Sequence, residues 1–351
     1  MKRHILVIVV AIGLIAWSCK KVESPASSNS LKQSIEMNIS DINAAINTIS
    51  ADKGYQILSL NSDLTAKNMM GPIVLQDSIT LALVSGIYNY QPDTVLLNHS
   101  IEFPFRLFKK VGTSNNMIVN LPQKLIFHPK YLHSFIKSDS VLKNDFTISA
   151  TDYHFYYNFW KSLDYKLTAG LSLNSVDLGS LDISTVSHGF NSQSNQASYN
   201  FTGGYSISTS WQTGDTSKFS FSFLKDNNPL LIETNLFTGI NLHKREKQYD
   251  LTIGNIEIKR GFGIDSIQVF LNGVLQKNAG AKITDSADST GTIFRNRDIL
   301  LTFDDGTTTK LSTLLGPPLT QLKTLVNSLH DMYFAQNIVD YIAMNIFFNS
   351  R

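Results

Sequence analysis

The sequence predicts an α+β fold: an antiparallel β-sheet bent into a sandwich or partial barrel, with amphipathic helices at both termini. Three observations carry that expectation. Aromatic residues make up 11% of the chain, a share that suits pleated, half-buried strands better than helical arrays. Asn272-Gly273 sits between apolar runs and Asp305-Gly306 between Leu300-Leu-Thr-Phe303 and Thr307-Thr-Thr-Lys-Leu311, strong short-range signals of antiparallel hairpins. Apolar residues recur at helical spacing near the two ends and at a spacing of two between them.

The chain has 351 residues, 42% hydrophobic and 17% charged. That is enough apolar material for a sizeable core and excludes a disordered chain. No internal repeat and no linker interrupts the stretch from Gly54 to Arg351, so residues 31–351 are expected to form a single body. Lys and Arg number 30 against 28 Asp and Glu, and removing Lys2 and Arg3 with a leader brings the balance to 28 against 28. A chain without net charge has no electrostatic case for nucleic acid, which requires a basic face. The densest basic run, His243-Lys244-Arg245-Glu246-Lys247, reads as a solvated turn, with a surface contact as the alternative.

Residues 1–18 have the layout of an export signal: Met-Lys-Arg-His, thirteen mostly apolar residues from Ile5 to Trp17, then Ser18. As a helix those thirteen would reach about 20 Å, short of a hydrocarbon core of roughly 30 Å, so a permanent span is not expected. Cys19 follows directly and is the only cysteine, which rules out an internal disulfide. An apolar leader ending at a cysteine resembles the lipobox of bacterial lipoproteins, although Ala16 stands where that pattern favours Leu. The resemblance covers only these first residues. It implies that Cys19 is lipidated and becomes the first residue, and that the chain is anchored to a membrane of the cell envelope. Lys20 in place of Asp favours the outer membrane over the inner one within that family. Plain secretion with cleavage after Ser18 is the alternative.

Residues 19–30 are small and polar and read as a flexible tether of about 20 Å reach. Leu31, Ile35, Ile39, Ile42, Ile46 and Ile49 then draw one apolar stripe, a helix over 31–50 expected to pack on the protein's own sheet. Ser30 with Gln33 matches a capping box, and Gly54 suits a left-handed stop. The β-rich part is expected over 55–311, starting with Tyr55–Leu60, Ile73–Leu75, Ser78–Val84 and Ile101–Phe108, with a loop and a short helix around 131–136 before Lys143. Phe219–Phe223, Leu251–Ile253 and Ile256–Ile258 alternate apolar and polar residues, Ile267–Leu271 runs into Asn272-Gly273, and roughly ten strands follow from the turn signals. Further turns are expected at Gly203-Gly204 and at Thr213–Thr216. Pro317 opens a C-terminal helix or helices over 317–348, where Gln336 interrupts the apolar stripe.

Motifs for catalysis are absent from the sequence: no nucleophile elbow, zinc-protease helix, Walker loop or dinucleotide fingerprint occurs, and Gly261-Phe-Gly263 stands alone. No catalytic residue, cofactor or metal site is therefore assigned. His99, His128 and His133 lack the spacing of ligands on one helical face, and Asp285, Asp288, Asp304 and Asp305 lack that of a calcium loop. A pair of catalytic carboxylates would leave no local signature, so an envelope hydrolase is retained as the weaker alternative. The stretch Tyr153-His-Phe-Tyr-Tyr-Asn-Phe-Trp160 stands out. Tyr153, Tyr157 and Trp160 are the candidate ligand-binding residues, and a strand covered on both sides is the competing explanation. The function that fits is a lipid-anchored envelope protein of non-enzymatic binding or scaffolding type. Its ligand would be an acyl chain held by a curved sheet or a glycan stacked on an aromatic patch. The first layout resembles the periplasmic lipoprotein carriers as a fold analogy only.

Overall fold

The computed structural model describes residues 30–59, 78–91, 107–123, 143–158, 162–189, 192–238, 246–261, 267–285, 297–331 and 333–349, with backbone alone at 57–59, 246, 285, 297, 326–331, 333 and 349. The fold is α+β. Fifteen strands form one open sheet and three form a small second one, while helices from both ends of the chain supply the covering layer.

Helix α1 (Leu31–Ser50) begins where the Ser30 side chain accepts a hydrogen bond from the Gln33 amide at 3.2 Å. Its isoleucines at 35, 39, 42, 46 and 49 are all buried, as the stripe required. Two expectations next to it are corrected. The helix ends on Ala51 in a right-handed conformation rather than on Gly54, and Tyr55–Ser59 belongs to helix α2 (Lys53–Ser59) instead of a strand. Gly54 serves close packing: a Cβ there would collide with the Leu178 carbonyl oxygen and meet the Tyr199 hydroxyl at 2.8 Å. Ser78–Val84 likewise yields only the two-residue strand β1 (Ile79–Thr80), followed by one helical turn, α3 (Leu81–Val84). Ile73–Leu75, most of Ile101–Phe108 and the short helix expected around 131–136 lie outside the described residues.

Strands β2 (Gly86–Tyr90), β3 (Phe108–Gly112) and β4 (Met117–Leu121) form one margin of the sheet, with β2 and β4 parallel. From there the chain runs back and forth through β5 (Phe146–Asn158), β6 (Ser162–Leu173), β7 (Val176–His188), β8 (Ser192–Asn200), β9 (Tyr205–Thr213), β10 (Thr216–Lys225), β11 (Asn228–Thr238), β12 (Glu246–Ile253), β13 (Ile256–Arg260), β14 (Gln268–Leu271) and β15 (Val274–Leu275). Every strand in this run pairs antiparallel with its chain neighbour. The small sheet holds β16 (Gly280–Asp285), β17 (Arg297–Thr302) and β18 (Thr308–Lys310).

Tight turns set the register. Asn272 and Gly273 both take positive φ, 51° and 76°, the mirror-type turn whose twist matches a hairpin. Asn174-Ser175 and Asp226-Asn227 do the same without glycine. The Asp305-Gly306 turn differs from the two-residue form expected of it. Phe303 and Thr307 pair around three loop residues, with Gly306 alone at φ 78°. Asp305 instead accepts the Thr307 amide at 2.8 Å, an Asx turn. At the open edge, β3 carries exposed Lys109 and Lys110, charges that discourage strand addition.

After α4 (Leu311–Leu315) come two helices, one of the two forms expected, α5 (Pro317–Asp331) and α6 (Tyr333–Asn349). Gln336 lies inside α6. Helix α1 packs on β11 and β12, α5 on β8 and β9, and α6 on α3 and β1. Asn38 of α1 donates to the Ile253 carbonyl at 2.7 Å and to Asn255 at 2.9 Å, which ties the helix across the end of the β12–β13 hairpin. One continuous core lies between this helical layer and the sheet. No helix among the described residues is long and apolar enough to cross a membrane.

Candidate functional site

The two faces of the large sheet differ in chemistry. On the face away from the helices, strands β8–β11 present mostly Ser, Thr, Gln and Asn. Ser208 and Ser222 hydrogen-bond across strands at 2.7 Å, and Ser220 and Thr234 at 3.0 Å. Lys166 pairs there with Asp152 at 2.6 Å and His154 with Asp164 at 3.5 Å. Exposed pairs of this kind contribute little to stability.

The helix-facing side changes character along the strands. One register row joins Leu181, Tyr199, Ile207, Phe223, Leu231 and Ile253, all buried. Two rows further along, the residues in register are Asn195, Trp211, Phe219, Asn235 and Tyr249. Within β9, burial falls from Ile207 at 0% exposure to Trp211 at 41%. The row between them holds Glu233, only 2% exposed, beside Tyr249. Burial first, and then the Glu233 carboxylate, hold the Tyr249 phenol well above its ordinary range. Asn235 donates to Glu233 at 3.5 Å.

A second buried acid sits on the same side of the sheet, several strands away over β5. Asp340 of α6, 4% exposed, accepts the Tyr153 hydroxyl at 3.0 Å. The Tyr165 hydroxyl and Gln336 Oε1 lie nearby and are themselves buried without a completed hydrogen bond. Desolvation pushes the Asp340 carboxyl up to about 7, against the lowering influence of Tyr153, Tyr165 and Gln336. Both phenols are held well above their ordinary range, by burial first and by the adjoining acid second. The third buried acid, Asp298, accepts the Ile299 amide at 2.8 Å and the Ser312 amide at 3.2 Å. It joins the small sheet to α4 and has a structural role.

Strand β5 places Tyr153, Phe155 and Tyr157 on the helix-facing side, with a bulge between Ala150 and Asp152 setting that alternation. Tyr153 is 1% exposed and committed to Asp340, so it belongs to the core and is not free to meet a ligand. Tyr157 is half-buried. Trp160, Cys19, His99, His128, His133 and Asp288 lie outside the described residues, as does the side chain of Asp285. Asp304 and Asp305 are exposed in a turn, and no group of three potential metal ligands occurs among the described residues.

Sequence reasoning missed Trp211, Glu233 and Asp340, although each leaves a trace. Trp211 continues the alternation of Ile207 and Thr209, and Glu233 occupies the apolar parity of Leu231 and Phe237. Asp340 falls four residues after Gln336 and three before Ala343, within the packed face of a helix. Comparison with protein-family models, with curated proteins and with solved structures finds no match to this chain.

Proposed function

We propose that this chain is a lipid-anchored protein of the bacterial cell envelope, attached through Cys19, whose folded body works by binding rather than by catalysis. The sole cysteine directly after an apolar leader supports the anchor, and acyl chains bury methylenes at about 0.8 kcal/mol each. Ser30 caps the first described helix, and residues 19–30 would hold the body clear of the headgroups. One observation supports binding: on a single sheet face the side chains pass from a packed apolar core to an aromatic and amide surface carrying a 41% exposed tryptophan. The two buried acids of that face are each enclosed with tyrosines, far from one another along the strand order, an arrangement that suits packing better than acid–base work.

Radiolabelled palmitate fed to expressing cells tests the anchor. The label is expected on the wild-type protein, with the product in the membrane fraction, and absent from Cys19→Ala. Label retained by the alanine variant would overturn lipidation at this residue. Native mass spectrometry of the purified body tests the fatty-ligand version, which requires a co-purifying lipid of stoichiometric amount.

A further inference from the structure

We infer that the surface around Trp211 on strands β8–β10 is a platform for an uncharged glycan chain; this deepens the binding reading above and is independent of the anchor. Trp211 lies two residues from the end of β9, paired on both sides, with Asn195 directly opposite on β8 and Phe219 directly opposite on β10. Facing side chains in such pairs stand about 4.5–5.5 Å apart, so the indole and the Asn195 amide address the same small area. Gln193 and Thr213 form the next pair outward on the same face, and Thr209 the next inward. Asn195, Gln193, Thr209 and Thr213 are all half-buried, with their backbones held in the ladder of the sheet.

Three physical arguments select the ligand. An exposed indole offers a broad apolar face with a polar edge, which suits the C–H face of a pyranose ring. Sugar hydroxyls both donate and accept, and the side-chain amides of Gln193 and Asn195 also do both, whereas a lone cation or carboxylate does only one. On this face, β8 and β9 place no charged side chain between their ends, so a phosphorylated or uronic polymer gains nothing electrostatic. A fatty chain would leave the amides without hydrogen bonds, at a cost that an uncharged polyol does not bring.

The test uses the full chain as purified from cells, titrated by calorimetry with cellohexaose, maltohexaose, mannohexaose and hexa-N-acetylchitohexaose. Hexagalacturonate and phosphatidylglycerol vesicles serve as the charged and lipid arms. At least one neutral hexaose is expected to bind. Trp211→Ala is expected to weaken that binding about tenfold or more with the unfolding temperature unchanged, since it removes one stacked ring. Asn195→Ala, a second and smaller truncation, is expected to weaken it about threefold or more. Failure of all four neutral hexaoses, equal affinity in Trp211→Ala, or equal binding of hexagalacturonate would overturn the assignment. If the vesicles bind and no hexaose does, the glycan assignment falls, and the vesicle binding reports the acylated Cys19 rather than the body. Palmitate labelling reports on the anchor separately.

Discussion

Replacing Asp340 with Asn should abolish a specific part of the protein's pH dependence. The carboxyl is buried and its folded-state value is raised to about 7 from an ordinary 3.8. The folded chain therefore holds the Asp340 proton over a range in which the unfolded chain releases it, and stability falls as pH rises through that window. The contribution is fully present below about pH 4 and is lost as pH climbs through about 7. Roughly three units at about 1.4 kcal/mol each give a swing of about 4 kcal/mol. Asn keeps the shape and still accepts the Tyr153 hydroxyl, but it cannot ionise. Urea unfolding of wild type and Asp340→Asn at half-unit steps from pH 4 to pH 8 measures the difference free of all other titrating groups. The variant is expected to be equal to wild type or about 1 kcal/mol weaker at pH 4, and more stable by a few kcal/mol at pH 8. Parallel curves over the whole range would refute the reasoning, because they would mean that the acid is solvated or already ionised in the folded state.

Three further outcomes are expected from named contacts. Asn38→Ala removes two hydrogen bonds between α1 and the β12–β13 hairpin and should lower the unfolding free energy by about 1–3 kcal/mol in urea titration; an unchanged midpoint would place α1 elsewhere. Gly54→Ala sets a methyl against the Leu178 carbonyl and should cost about 1–3 kcal/mol by the same measurement, whereas no loss would show that α2 can shift freely. Tyr199→Phe deletes a buried hydroxyl that donates to Leu178 at 2.7 Å, for an expected loss of about 1 kcal/mol.

Sequence made the central strands legible where one face alternates strongly. Phe219, Phe221 and Phe223 could belong only to a half-buried strand, and Asn272-Gly273 fixed its hairpin by backbone conformation alone. It was less informative for β7–β9, where Ser, Thr, Asn and Gln on both faces dilute the apolar alternation. That is why fourteen strands stand between Phe146 and Lys310 among the described residues, against roughly ten expected. Tyr55–Leu60 went wrong for another reason. A six-residue run containing Tyr, Ile and two Leu fits either period, and tertiary contact decided it: only glycine at 54 lets the backbone approach Leu178 closely enough for α2 to dock. Of the candidate site, the aromatic stretch of β5 was visible but its role was not, since a tyrosine in a core and one on a surface are written alike. The partner that settles Tyr153 is an acid far away in the chain.

That distance governs how the protein can come to be folded. Strands β5–β15 pair with their neighbours in chain order and can zip together locally as the polypeptide emerges. The covering helices have no such convenience: Asn38 meets Ile253 across 215 positions, and Tyr153 meets Asp340 across 187. Until the last segments have been delivered, the part of the sheet that α5 and α6 cover remains greasy and bare. A chain that stalls or is clipped before α6 would thus be a sticky half-product, with Tyr153 and its neighbours left without their cover.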